Sequence, residues 1–450
     1  MHSFDLPLWS IAPFVLMLFA IAIFPLASGH WWERNRNKLV VACVLGVPVG
    51  LYFLVFEGHQ GRTEVLHVML EYVAFIVLLG SLYVISGGIL LRGDIEATPR
   101  VNTIFLGIGA VLASIMGTTG AAMLLIRPLL STNAERRSKV HTVIFFTFLV
   151  ANIGGSLTPL GDPPLFMGYL RGVPFTWTLS LWPEWAFTTG VVLAVYYVID
   201  RRRFGQETAS DRKKDNVQIP KLSVRGLVNL PLLACVVLAV TFGQQLNRLS
   251  GSAIADVLGV PFELDGMLSV VGLREVVMAA LALFSIKATK PEVRRGNEFT
   301  FAPIIEVAAL FFGIFLTMIP AIVLLHERGG ELPLTEPWHY FWASGSLSSF
   351  LDNTPTYIVF FELGAARAHL AADAGSLGLQ MVEHQGPILS AISLGAVFMG
   401  SMTYIGNGPN FMVKAIAEER GVEMPSFFGY MVYSCAILLP TFFLMTRIFL

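Results

Sequence analysis

Charge is what this chain has least of: 14% of its 450 residues are Asp, Glu, Lys or Arg, against roughly a quarter in an ordinary soluble domain. Lys and Arg number 30 and Asp and Glu 31, so the net charge is -1. That balance offers no basic surplus to hold a nucleic acid. Cysteine is also sparse. Cys43, Cys235 and Cys435 each fall in an apolar run without ligand-like spacing and read as packing residues. His141 and His384 stand alone, with no second His, Cys or acid at metal-binding spacing. No glycine-rich run ends in Lys-Ser or Lys-Thr, which removes the simplest nucleotide-driven pump. With neither a nucleophile-base pair nor a metal cluster in evidence, a membrane-embedded enzyme is a poor reading, and no cofactor is expected.

Apolar residues are abundant: 55% of the chain, with a mean hydropathy of +0.68. Such a composition belongs in a lipid bilayer. Spans of ~20 residues are expected at residues 8–28, 39–56, 68–91, 142–170, 185–199, 227–246, 268–286, 301–325, 387–417 and 427–448, about ten crossings in all. The first lacks the basic region of a secretory signal and reads as a retained helix. Residues 102–130 and 340–364 are too long for one helix and are interrupted at Gly117-Thr118-Thr119-Gly120 and Asp352-Asn353-Thr354-Pro355, so both read as re-entrant hairpins. Basic residues favour cytoplasmic loops. Arg34 to Lys38, Arg92 with Arg100, Arg136 to Lys139, Arg201 to Arg225 and Lys287 to Arg295 then fall on one side, which puts both termini on the periplasmic or outer side. The two hairpins would enter from opposite faces.

Two apolar segments break in nearly the same way. Gly155-Ser156-Leu157-Thr158-Pro159-Leu160-Gly161-Asp162-Pro163-Pro164 lies in 142–170, and Gly400-Ser401-Met402-Thr403-Tyr404-Ile405-Gly406-Asn407-Gly408-Pro409 in 387–417. Glycine and proline leave backbone groups unpaired, which membranes tolerate only in protein-lined cavities. Spacing extends the likeness. Glu71 and Glu306 are 235 positions apart, as are Thr119 and Thr354, whereas Thr158 and Thr403, Gly161 and Gly406, and Pro164 and Pro409 are 245 apart. Order and direction predict an inverted-topology repeat: residues 1–200, a cytoplasmic linker at 201–226, and residues 227–450.

The breaks concentrate polar groups where a transporter site is expected. Asn152, Thr158, Asn353, Thr354, Thr403 and Asn407, with Thr118, Thr119, Ser156 and Ser401, offer neutral oxygens suited to a hard cation. Asp162 and Asp352 are carboxylates inside the membrane, which usually mark an ion or proton path. A plain alternative is that each caps a half-helix. Glu71 and Glu306 sit near expected span entrances, and Arg127 and Lys414 near span ends, where snorkelling suffices.

Asn152-Ile153-Gly154-Gly155 through Thr158-Pro159-Leu160-Gly161-Asp162-Pro163-Pro164, with Leu351-Asp352-Asn353-Thr354-Pro355-Thr356, resembles the ion transporter superfamily. That group includes D-type sodium/proton antiporters, citrate-metal and dicarboxylate symporters, and arsenite permeases. The motifs look most like the antiporter branch. Dicarboxylate symporters carry Ser-Asn-Thr at their hairpin tips, whereas this chain has Gly117-Thr118-Thr119 and Asp352-Asn353-Thr354. The resemblance implies a homodimer in a bacterial inner membrane, each protomer pairing a scaffold with a mobile transport domain that works as an elevator. The expected function is sodium/proton antiport: Asp162, assisted by Asp352, alternates between protonated and Na⁺-bound forms, with Na⁺ held by Asn152, Thr158 and Asp162. The alternative is Na⁺- or H⁺-coupled symport of citrate or another carboxylate, held by Gly117, Thr118, Thr119, Gly155, Ser156, Pro163, Pro164, Pro355, Ser401, Gly408 and Pro409 at the tips and breaks.

Overall fold

The computed structural model describes residues 6–93, 96–207, 223–248, 271–328, 333–370 and 377–450. Helices dominate. Those of eight or more residues are, in chain order, α1 (Ala12–Ala27), α2 (Asn35–Phe56), α3 (Gly58–Ser86), α4 (Pro99–Met116), α5 (Thr118–Thr132), α6 (Val140–Leu149), α7 (Pro163–Leu170) and α8 (Trp182–Gly205). The second part holds α9 (Asn229–Thr241), α10 (Leu273–Ala288), α11 (Ala302–Arg328), α12 (Pro337–Ser348), α13 (Asn353–Arg367), α14 (Leu377–Met399), α15 (Gly408–Glu419) and α16 (Phe427–Phe449). A short antiparallel ribbon, which the sequence did not announce, pairs β1 (Leu90–Arg92) with β2 (Ser223–Arg225) in the register Leu90↔Arg225.

Among the described residues, eight helical stretches are long and apolar enough to cross a membrane. Seven coincide with expected spans. The eighth is α4, expected from the sequence as one arm of a hairpin. The remaining expected spans look different: α9 has 13 residues and α10 has 16, while α8 has 24 but ends in Arg201-Arg202-Arg203. Arg202 and Arg203 lie in the last turn, where cations complement the helix dipole, so the helix runs into the start of the expected linker. Residues 208–222 of that linker lie outside the described residues, as do parts of the expected loops at 247–265 and 371–386.

Two boundaries moved for clear reasons. Helix α3 begins at Gly58 rather than near residue 68, because its 29 residues span about 43 Å and its polar first turns project beyond an apolar layer of about 30 Å. Helix α14 begins at Leu377, ten residues early, and bends at Gln385 (φ -133°, ψ 29°) just before Pro387. Two helical stretches therefore meet at Gln385, and the second starts close to the expected Pro387, since a first turn has no use for the N–H that proline lacks.

Packing sorts the helices into two groups. Helices α1, α2, α3, α9, α10 and α11 pack chiefly on one another, and α4 to α8 pack with α12 to α16. Helix α3 touches the second group at α5 and α7, and α11 touches it at α13. Outward faces stay apolar, as with Val44 and Phe56 on α2 and Val432 on α16. Such faces suit lipid as the solvent.

Candidate functional site

Helices α4 and α5 meet at Gly117, whose φ of +82° favours a residue without Cβ. The turn lets Thr118 begin α5, and its N–H donates to the Gly161 carbonyl at 2.8 Å. Helix α6 stops at Leu149, a 3₁₀ turn covers Ile153–Leu157, and α7 starts at Pro163. The interruption is held by close backbone contact: a Cβ on Gly161 would lie 2.1 Å from the Gly155 carbonyl oxygen. Thr158 Oγ1 donates to the Ser114 carbonyl and accepts from the Leu160 N–H, and Ser114 Oγ donates to the Gly154 carbonyl at 2.5 Å.

The second interruption uses the same devices. Helix α14 gives way to a 3₁₀ turn at Gly400–Met402, and α15 starts at Gly408. A Cβ on Gly406 would lie 2.5 Å from the Gly400 carbonyl oxygen. Thr403 Oγ1 donates to the Ser349 carbonyl at 2.5 Å and accepts from the N–H groups of Ile405 and Gly406. Helices α12 and α13 are separated by Ser349 to Asp352, and Ser348 Oγ lies 2.6 Å from both Asn353 Oδ1 and the Ala396 carbonyl.

Everything converges on Asp162. It occupies the N-cap position of α7, yet its side chain makes no capping bond. Instead Oδ1 accepts from Thr118 Oγ1 at 2.9 Å and Asn407 Nδ2 at 3.2 Å, and Oδ2 accepts from Asn353 Nδ2 at 2.7 Å. The carboxylate is fully buried. Three donors drawn from the starts of α5, α13 and α15 thus satisfy one acid, which is what makes its burial tolerable. Asp352 behaves otherwise: its Oδ1 caps α13 by accepting from the Thr354 N–H at 3.1 Å.

Asn152 joins this set through Asn407, whose Nδ2 reaches Asn152 Oδ1 at 3.2 Å and the Ala151 carbonyl at 3.1 Å. Thr158 and Thr403 turn the backbone; no hydrogen bond joins either to Asp162 among the described residues. Ser156 and Ser401 likewise bond local carbonyls, of Ile153 and Phe398. Pro164 is buried in α7, and Pro355 lines an apolar groove beside α1. Asn410 went unnoticed in the sequence. It is fully buried, accepts from Asn152 Nδ2 at 2.7 Å, and donates to the carbonyls of Gly400 and Thr403 at 2.8 and 2.9 Å.

A cleft of about 80 Å³ lies beside this network. Its lining includes the first residues of four helices, Thr118 of α5, Pro163 of α7, Asn353 of α13 and Gly408 of α15. Gly117, Thr119, Asp352, Thr354, Asn407 and Pro409 complete the polar wall. Leu82 and Tyr83 of α3 and Ile304 and Phe311 of α11 form the apolar wall opposite. Helix starts carry partial positive charge, but Pro163, Pro164 and Pro409 supply no N–H, and the N–H groups of Thr118 and Thr354 already donate to the Gly161 carbonyl and Asp352.

Several charged groups have partners that local spacing does not show. Glu71 lies at mid-helix, buried, 3.2 Å from Arg171, not at a span entrance. Arg127 pairs with Glu298 at 2.9 Å and Lys414 with Glu418 at 2.7 Å. His141 has an acid after all: Nε2 is 2.8 Å from Asp200 Oδ1, in a buried cluster with Arg136. Helix packing brings that partner from 59 residues away, which local spacing cannot reveal. Among the described residues no three His, Cys, Asp or Glu gather as a metal site.

Helix length and hydropathy define a multi-pass membrane protein whose helices break around a buried polar centre. The chain belongs to the family described as "Putative citrate transport" (CitMHS_2), matched over residues 3–450 and part of the ion transporter superfamily. This is a transporter family, not an enzyme family. No individually curated protein matches the chain.

Proposed function

We propose that the protein is a secondary transporter that moves citrate or a related carboxylate together with Na⁺ or H⁺. The observation that carries this reading is the cleft where α5, α7, α13 and α15 begin, next to Asp162. Carboxylate groups fit the partial positive charge of the helix starts, and the coupling cation fits the Asp162 side. Turning the amide of Asn353 or Asn407 over exchanges an N–H donor for a carbonyl oxygen and converts the cage into a cation site. Together with the family match, this supports symport over the sodium/proton antiport that the motif resemblance favoured.

Element order supports an inverted repeat as the frame for this activity. Three helices, a helix pair joined at a tip, a broken helix and a final helix occur as α1 to α8 and again as α9 to α16. Thr118 and Asn353, 235 positions apart, donate to the two oxygens of Asp162, and Ser114 and Ser349 play matching parts under Thr158 and Thr403. In this reading α4–α5 and α12–α13 are re-entrant hairpins, and their group of helices slides against α1, α2, α3, α9, α10 and α11 as an elevator within a homodimer. Alternating access then needs the cleft to leave the apolar wall of α3 and α11.

The test is uptake of labelled citrate into proteoliposomes under an imposed Na⁺ or H⁺ gradient. Accumulation that collapses with the gradient is the expected result. Na⁺/H⁺ exchange without citrate uptake would establish the antiport reading instead.

A further inference from the structure

Glu71, Arg171 and Glu362 form a buried group that the Asp162 site does not use. Arg171 Nε donates to Glu362 Oε1 at 2.8 Å, and its Nη2 lies 3.2 Å from Glu71 Oε2. All three residues are buried, with Glu71 1% exposed. Two carboxylates share one guanidinium. The sharing is uneven, since both Glu71 oxygens and Arg171 Nη1 make no hydrogen bond. Glu71 therefore depends on Arg171 alone for compensation, and that compensation is purely ionic.

The three side chains come from both helix groups. Glu71 is on α3, whereas Arg171 follows α7 and Glu362 is on α13, two of the four helices whose first residues line the cleft. Arg171 lies eight residues beyond Pro163 and Glu362 nine beyond Asn353, so this ion pair sits about 12–14 Å from the helix starts at 1.5 Å per residue. Any shift of the site relative to α3 carries Arg171 and Glu362 along and leaves Glu71 behind. Among the described residues, no other cation on the elements packed against α3 is placed to replace Arg171, and Arg294 donates to the Val84 carbonyl, 13 residues further along α3. Lys38 of α2 pairs with Glu306 of α11 at 2.6 Å, Arg127 of α5 pairs with Glu298, and Arg274 of α10 pairs with the adjacent Glu275. Arg36 and Lys287 are exposed, and α9 contributes only the exposed Cys235. Tyr169 of α7 and Tyr72 of α3 donate to the carbonyls of Val240 and Ala308.

We propose that Glu71 is a proton-binding site of this transporter, ionised against Arg171 in the arrangement seen and protonated when α7 and α13 move past α3. A proton from water adds to a Glu71 oxygen and leaves a neutral acid, while Arg171 keeps its charge and its bond to Glu362. The alternative, an ionised carboxylate stranded among apolar helices, is strongly unfavourable. Protonation thereby licenses the movement. The inference rests on the transport reading above, because it needs the two helix groups to move.

A distance measurement tests it without substrate. Spin labels at Leu66→Cys on α3 and Leu379→Cys on α14, in a background with Cys43, Cys235 and Cys435 replaced by alanine, report the two groups in liposomes. The wild-type distance distribution is expected to shift between alkaline and acidic buffer, and Glu71→Gln to show the acidic distribution at both. Glu362→Gln, which leaves the α3 carboxylate in place, should retain a shift, and Glu71→Asp should retain it with a displaced midpoint. No shift in wild type, an unaltered shift in Glu71→Gln, or equal loss in Glu362→Gln overturns the proposal. Should Glu71→Gln not fold, an unmoved midpoint in Glu71→Asp overturns it as well. Labelled citrate uptake in the same preparation separates the two ideas: a shift without uptake rejects the substrate reading alone, and uptake without a shift rejects Glu71.

Discussion

Asp162 and Asp352 look alike in the sequence, both aspartates in a proline-containing break of an apolar segment, and they do different things. Asp352 turns back onto its own helix start, whereas Asp162 gives up that bond and collects three donors from other helices. Substitution should separate them. Asp162→Asn keeps the shape and removes the charge, so cation-stimulated uptake should fall about tenfold to a hundredfold, the loss of ~1.5–3 kcal/mol expected for a charge-assisted interaction. Asp352→Ala should instead cost about 1 kcal/mol of helix capping, read as a lowered unfolding temperature, and Asp352→Asn, itself a good cap, should restore it. Equal effects of both aspartates on cation stimulation would contradict this division. Thr118, Asn353 and Asn407 were legible because the breaks announce themselves through glycine and proline. Asn410 was not, since its counterpart 245 positions earlier is Leu165 and the repeat gave no hint. Arg171 and Glu362 stayed hidden because their pairing joins positions 191 apart on separate helices.

The breaks hold their shape through backbone contact between glycine pairs, Gly155 with Gly161 and Gly400 with Gly406. At these positions a missing Cβ matters for packing. Gly161→Ala would drive a methyl group into the Gly155 carbonyl, 2.1 Å away, and should destabilise the protein by ~1–3 kcal/mol as overpacking does. Gly408→Ala offers the control. It sits at the start of α15, where a methyl group would meet nothing within 4 Å, so its unfolding temperature should stay near wild type or rise slightly. A Gly161→Ala protein as stable as the wild type would show that the break can relax. Helix boundaries were less legible than these turns. The pattern of apolar residues located α3 and α14, but the polar turns that extend them are set by helix propensity and by contacts with other helices.

Hydropathy alone located seven of the eight candidate spans, because lipid leaves a long apolar helix few alternatives. Hydropathy does not say how the two halves are oriented, and the repeat makes a sharp claim about that. If α4–α5 and α12–α13 are related by inversion, their open ends face opposite sides of the membrane even though their tips meet near Asp162. Glu135, just beyond α5, and Thr335, just before α12, are both exposed at those open ends. In a background lacking the three native cysteines, Glu135→Cys should resist a membrane-impermeant thiol reagent applied to intact cells and react in inverted vesicles. Thr335→Cys should do the reverse, because the basic cluster Arg136, Arg137 and Lys139 assigns the first end to the cytoplasm. Labelling of both positions from one side would remove the inversion, and with it the argument that a single buried carboxylate can be reached in turn from each face.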